Sequence, residues 1–354
     1  MKLTRSEFQN YIHSYEQDEI FYRDLYFAEK EHPETFMEYC QSLDREMIAQ
    51  RKLYVPALRK EGWLPYLNEG TLFQDFTGDI MLSKHYRYTP AFAHEHEFFE
   101  IMCIYDGTVK TTIQGIPHTL QQGDVCIIPP HTRHSVSIFD DSIAINILVR
   151  TSAFQSTFFQ TLTADSALSQ FFTHVLYHKT EGNFLIFHTG NDKIVMKSVE
   201  KLFIEYLGHE KYSYTFLNSM LILFWAKLLR YHENDIESIL TKETTGSSMT
   251  EILNYLNQNF QIASLSDTAA HFGYSSSHFS KLIKEGTGRT FLQIIRDIKL
   301  NQACRALRET TLSIPSICKL VGYETTEHFM RTFKKAYGMT PGEYRKTSSS
   351  LLEK

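Results

Sequence analysis

At 354 residues with 42% apolar side chains, the chain is long enough for two or three domains, each with its own core. Its net charge of −5 is unlike that of a nucleic-acid binder, but residues 245–354 carry 14 Lys and Arg against 9 Asp and Glu, while the remainder carries 22 against 32. A basic end on an acidic body points one domain at phosphates and the rest at something else.

Residues 1–65 place Phe8, Tyr11, Ile12 and Tyr15, then Phe21, Tyr22, Leu25 and Tyr26, at helical spacing. Pro33 and Glu34 read as the first turn of a further helix running through Phe36, Tyr39, Leu43 and Met47. This segment is expected to pack on the next domain or to serve a dimer contact. The first residues are charged and lack an apolar signal core.

Residues 66–150 change texture. DIMLSKHYRY, FFEIMCIYDG, TVKTTIQG, IPHTLQQGD, VCIIPP and HSVSIF are short strand-like runs between Gly, Pro and Asp, which predict a small β-sandwich or barrel. Helical periodicity returns over 151–240, with a strand-like break at NFLIFHTG. There Ile194, Val195, Val199, Leu202, Phe203 and Tyr206 share one predicted face, and a second helix covers about 214–232. Two such helices can pair with their counterparts in a second chain, making a homodimer the expected state. The apolar run 217–229 is about half the length needed to span a bilayer and contains Lys227, so no membrane span is expected. The five cysteines, Cys40, Cys103, Cys126, Cys304 and Cys318, show no paired spacing, which fits a reducing cytoplasm. Residues 241–250, KETTGSSMT and its neighbours, read as a polar linker.

The segment 251–346 repeats itself. Gly273-Tyr274 recurs as Gly322-Tyr323, His278-Phe279 as His328-Phe329, and Lys284, Gly288 and Thr290 as Lys334, Gly338 and Thr340. Each copy has the form of a helix-turn-helix. Ser264 caps a helix bearing Leu265, Thr268, Ala269 and Phe272, with Asp267 reaching back toward the free amides, and Gly273 ends it. In the second copy Ser313 is the cap, Pro315 sits in the first turn, and Gly322 makes the turn. Ala269 and Cys318 are small enough for the tight helix crossing. Phe291 to Leu307 form a long helix between the copies, so both readers are held rigidly to enter successive major grooves.

The DNA-facing candidates are Ser276, Ser277, Ser280, Lys281 and Lys284 on the first recognition helix. On the second they are Thr325, Thr326, Arg331, Lys334 and Lys335. Arg331 is the candidate for bidentate contact with guanine, while lysines bind phosphate. These residues resemble the AraC/XylS family of bacterial transcription regulators. The stretch IPSICKLVGYETTEHFMRTFKKAYGMTPGEYR follows the family signature to its end at Gly338, Thr340, Pro341, Tyr344 and Arg345. Two departures are Cys318, where Ala is usual, and Ile283, where an aromatic is common.

In the β segment, alternation along one strand would point His94, His96 and Glu100 the same way, with His134 following later. The spacing resembles the cupin pattern and fills all four of its metal-ligand positions, although His131 replaces the usual Gly and Ile138 the usual Asn. Three readings stay open: a divalent metal site, a direct small-ligand pocket, and a mutually hydrogen-bonded structural cluster. The regulator resemblance favours the ligand pocket, with no cofactor, and Tyr86, Tyr88 and Tyr105 are candidate aromatic walls for a sugar or else plain core.

The expected fold is therefore α+β and multidomain: a cupin-like barrel with flanking helices, joined to an all-α tandem helix-turn-helix domain. The expected function is a non-enzymatic regulator, an activator by family habit, with DNA, a small effector and RNA polymerase as partners. The alternatives are a cupin metalloenzyme fused to a DNA-binding module, and an effector-independent regulator whose barrel only dimerises. No nucleophile elbow or phosphate loop supports catalysis.

Overall fold

The computed structural model describes residues 3–58, 66–73, 78–151, 153–154, 184–238 and 247–349. The chain forms two compact units, one of Met1–Asn68, Met81–Leu148 and Phe184–Ile239, the other of Glu69–Ile80, Val149–Asn183 and Leu240–Lys354. Most of the expected helical stretch 151–183, and residues 241–246 of the expected linker, lie outside the described residues.

The first unit begins with helix α1 (Arg5–His13), where Thr4 and Glu7 each bond the other's backbone amide, followed by α2 (Gln17–Glu31). The single helix expected from Pro33 through Met47 is instead two, α3 (Phe36–Ser42) and α4 (Arg45–Gln50). The carboxylate of Asp44 accepts from the amides of Glu46 and Met47, starting a new helix in the middle of the predicted one. A buried ionic cluster ties these helices to the sheet. Glu19 on α2 accepts from Lys84 at 2.6 Å and from Arg87 at 2.8 Å, with all three side chains nearly inaccessible.

Two sheets form the body of this unit. The larger has the order β11-β10-β7-β4-β9-β2 and the smaller β6-β5-β8. Their ranges are β2 (Ile80–Lys84), β4 (Phe99–Asp106), β5 (Thr108–Ile113), β6 (Ile116–Gln121), β7 (Val125–Ile128), β8 (His134–Ser137), β9 (Ile143–Val149), β10 (Leu185–Phe187) and β11 (Ile236–Ser238). A short parallel pair, β1 (Tyr66–Leu67) and β3 (Glu95–His96), stands apart. Met102, Ile104 and Cys126 of the large sheet share one core with Val109, Ile113 and Leu120 of the small one. Strand β9 has no counterpart among the expected strands: like β7 it is a fully buried run, but it lacks the Gly and Pro that bound β7.

Two helices follow, α6 (Lys193–Gly208) and α7 (Ser213–His232). Val195, Val199, Leu202 and Phe203 of α6 are buried as expected, but Ile194 is 46% exposed and does not belong to that face. Phe8 of α1 packs on Phe203 with ring centroids 5.6 Å apart. Helix α7 buries Leu217, Leu221, Phe224, Trp225 and Leu228 and leaves Phe216 and Leu223 exposed.

In the second unit, α8 (Ser247–Asn259) starts inside the stretch expected as linker. The repeat follows as α9 (Leu265–His271), α10 (Ser276–Thr287), α11 (Phe291–Glu309), α12 (Ile314–Leu320), α13 (Thr326–Tyr337) and α14 (Pro341–Ser349). Ser264 and Ser313 cap their helices by accepting from Asp267 and Ser316 amides. Asp267 differs from expectation: its carboxylate takes the Ser264 hydroxyl at 2.6 Å. Short helix α5 (Glu69–Leu72) belongs to this unit, as does Asp79, which forms an ion pair with Arg308 of α11. Among the described residues, no helix is long and apolar enough to cross a membrane.

Candidate nucleic-acid interface and histidine cluster

Each recognition helix is built in the same way. Ser275 caps α10 by accepting the His278 amide, and Thr325 caps α13 by accepting the His328 amide, both at 3.3 Å. Phe279 and Ile283 bury one face of α10, and Phe329 and Phe333 one face of α13. The opposite faces carry most of the candidates. Ser276, Ser277, Lys281, Lys284, Thr325, Arg331, Lys334 and Lys335 are exposed, while Ser280 and Thr326 are half-buried. Lys281 stands 3.7 Å from Glu285, both exposed, so that pair yields readily to phosphate. Thr325 already spends its hydroxyl oxygen on the cap.

His278 and His328 were not among the expected DNA contacts. Both are exposed in the first turn of a recognition helix, and their rings stand edge-on to Tyr274 and Tyr323 at 5.2 and 5.4 Å. The repeat pairs these histidines in the sequence without saying which way they face.

The two turns differ. Gly273 and Gly322 both have left-handed backbone, with φ of +75° and +74°. A Cβ at Gly273 would meet open space, whereas one at Gly322 would lie 2.8 Å from the carbonyl oxygen of Gln261. Lys299 of α11 donates to the Gly322 carbonyl at 2.6 Å, and Gln261 donates to the Leu320 carbonyl at 2.8 Å. The second turn is thus clamped by the helix that joins the two copies and by the corner after α8.

In the first unit, His94, His96, Glu100 and His134 come together, but not by simple alternation along one strand. The chain bends between β3 and β4, and the bend brings His96 Nε2 to 3.2 Å from Glu100 Oε2. His134 Nε2 lies 3.2 Å from the same oxygen. The donor atoms of His94, Glu100 and His134 all lie within 4.8 Å of one another. Nδ1 of His96 is buried and makes no hydrogen bond among the described residues. His131, standing where the cupin pattern has Gly, adopts φ +61°, the backbone that explains the usual glycine.

Burial alone would raise the Glu100 carboxyl, but contacts from His134 and His96 hold it well below the ordinary range. Burial, then repulsion from His134, pushes His94 down to about 3, and burial also lowers His96. Burial opposes protonation of His134, yet Glu100 outweighs it and raises the ring. Glu100 thus favours a proton on His134, while burial disfavours one on His94 and His96. His85, absent from the expected set, also feels this pair, and burial lowers its pKa. Of the candidate aromatic walls, Tyr88 is buried and Tyr105 is half-buried against the edge of Phe8.

Known proteins match both units. A helix-turn-helix domain family matches residues 268–347, and the AraC-like ligand binding domain family matches residues 81–181. The HTH-type transcriptional activator RhaS of Klebsiella pneumoniae is 26% identical over 266 residues, 73% of this chain and 89% of that protein. The C-terminal domain of AraT, a response regulator from Geobacillus stearothermophilus, is 31% identical over 27% of this chain and 82% of its own, with a TM-score of 0.27. Unsaturated fatty acid bound ToxT from Vibrio cholerae is 16% identical over 78% and 97%, with a TM-score of 0.34.

Proposed function

The chain belongs to the AraC/XylS family of DNA-binding transcription regulators, and on that premise we propose that it activates transcription in response to a small polar effector, such as a sugar, held in its first unit. One observation carries the DNA reading: two capped helices present Lys281, Lys284, Arg331, Lys334 and Lys335 outward on a shared framework. Helix α11 has 19 residues, about 28 Å at helical rise, comparable with the roughly 34 Å between successive major grooves on one duplex face. In this reading Arg331 reads a guanine, the lysines hold phosphates, and the Ser and Thr hydroxyls at the helix starts adjust to either. The activator reading draws support from the Klebsiella relative, itself an activator.

The effector acts through His94, His96, Glu100 and His134, changing how the chain after β11 presents the DNA module. Only a ligand that binds two states differently can do this. Phe216 and Leu223 on α7 fit pairing with a second copy, and the promoter-bound dimer contacts RNA polymerase in the cytoplasm. Selecting genomic fragments with the full-length chain tests the DNA reading. A bipartite motif bound at least about a thousandfold better than scrambled duplex is expected; fragments without a shared motif would overturn it. An effector must raise thermal stability, which separates a sensor from an effector-independent dimeriser.

A second reading of the histidine cluster rests on its orientation. His134 Nδ1 faces the Thr132 carbonyl at 3.0 Å and His94 Nδ1 the Phe92 carbonyl at 3.3 Å, so each Nε2 is the nitrogen turned toward Glu100; that of His134, now bonded to Glu100, would give up its proton to a bound cation. With Glu100 these atoms fit a divalent cation, which would supply Lewis acidity or a fixed positive charge for an effector oxygen. Metal analysis decides it: about one ion per chain, lost in Glu100→Gln, supports the cation, and none in freshly purified protein refutes it. Turnover of a substrate by the metal-loaded chain would revive a cupin enzyme.

A further inference from the structure

A cleft of about 470 Å³ opens in the first unit between α1, the end of β4 and the start of α6, and none of the clustered histidines lines it. Its size falls in the range of small-molecule sites. Its floor is polar and fixed. Tyr105 donates to Glu200 at 2.8 Å and accepts from the Gln9 amide, and Arg5 holds the same carboxylate through two bonds of 2.9 and 3.1 Å. Glu200 is only 7% exposed, so this network is part of the fold rather than a surface accident.

The two ends of the cleft differ in chemistry. At one end the Gln122 amide donates to the Tyr105 carbonyl at 3.1 Å and to Asp106 at 3.3 Å, so that end is lined by an amide and a carboxylate, both able to accept from hydroxyls. At the other end Lys193 and Lys197 stand on successive turns at the start of α6. Both are exposed and neither has a carboxylate partner among the described residues. The helix end itself is already capped by the Asp192 carboxylate, which accepts from the Ile194 amide at 2.6 Å, so an anion there is held by the two ammonium groups. The turn beneath them is tightly held. Thr189 donates to the Gly123 carbonyl at 2.7 Å, and a Cβ on Gly123 would lie 2.4 Å from the Asn191 backbone, itself left-handed at φ +63°.

We propose that this cleft is a second small-molecule site, distinct from the histidine cluster, and that it binds an anionic polyol: a sugar phosphate or a sugar acid. The anion sits against Lys193 and Lys197, and the hydroxyls lie along Tyr105, Gln122 and Asp106. Because the walls come from α1 and α6, a ligand there joins the N-terminal helix to the pair α6–α7. The site stands independently of the DNA reading, since binding is measured without DNA.

Full-length protein carrying ¹³C-methyl methionine reports on the cleft through Met196, which lines it and is 7% exposed. Glucose 6-phosphate, glucuronate, glucose and inorganic phosphate are titrated separately. A saturable shift at Met196 is expected with glucose 6-phosphate or glucuronate, at least about tenfold tighter than with glucose or phosphate. Whichever of the first two binds better identifies the anion. Lys193→Ala combined with Lys197→Ala is expected to weaken binding about tenfold or more with the melting temperature unchanged, and Gln122→Ala to weaken it independently. No saturable Met196 shift with any anionic polyol overturns the site. Equal affinity in the double-lysine variant does so as well.

Discussion

The ammonium of Lys299 donates to the main-chain carbonyl of Gly322 at 2.6 Å and lies 5.5 Å from the centre of the Tyr323 ring. The residue belongs to the helix between the two copies, yet it fixes the turn of the second. Lys299→Met keeps the stem and removes the donor. It is expected to cost about 1–2 kcal/mol of stability, the low end of the range for a hydrogen bond to a charged group because Lys299 is half-exposed. Its effect on DNA should be confined to the base pairs read by α13. Gln261→Ala acts on the neighbouring carbonyl of Leu320, so the two substitutions should be non-additive in a double-mutant cycle read by urea unfolding.

Asp79 and Arg308 are paired with both side chains almost inaccessible, and Arg308 also donates to the Tyr344 hydroxyl at 2.7 Å. Removing one partner strands a buried charge. Asp79→Ala is expected to destabilise the second unit by about 3–5 kcal/mol. Asp79→Leu combined with Arg308→Met should recover part of that loss, because no stranded charge remains at the pair itself, while Arg150, 3.6 Å from Asp79, and the Tyr344 hydroxyl each lose a contact. Hydrogen exchange of α11 and α14 checks both; equal losses in the single and double variants would contradict the account.

Acid should release the N-terminal helices first. Burial alone would raise the Glu19 carboxyl, but bonds from Arg87 and Lys84 outweigh it and leave it below the ordinary 4.5. A carboxylate depressed in the folded state stabilises it fully above the ordinary value. That contribution disappears as pH falls from there through the folded value. Exchange protection of α2 should therefore drop below about pH 4.5. In Glu19→Gln that dependence should vanish, with about 3 kcal/mol or more lost already at neutral pH.

Local signals were legible in the sequence and long-range ones were not. Ser264, Ser313 and Gly322 announce caps and a turn through chemistry confined to a few residues, and the repeat places both recognition helices. The glycine expected at position 131 was informative even in its absence, since His131 takes the same left-handed backbone. Strand β9 lacked the Gly and Pro punctuation that marks off the equally buried β7. The Asp79–Arg308 pair spans 229 residues and Glu19–Arg87 spans 68, and charged residues read singly look like surface. His85 escaped notice for the same reason: only the folded sheet brings it within reach of Glu100.

Base-preference profiles show whether two helices of one chain read adjacent grooves with Arg331 choosing a base. Profiles of the wild type, Arg331→Ala and Lys334→Ala are taken at one fixed salt concentration. Two half-sites about 10–10.5 base pairs apart are expected. Arg331→Ala should lose about 1–3 kcal/mol and relax preference at one base pair in one half-site. Lys334→Ala should weaken every sequence alike and lower the salt slope by about one. A single half-site, or identical profiles for the two variants, would contradict that reading.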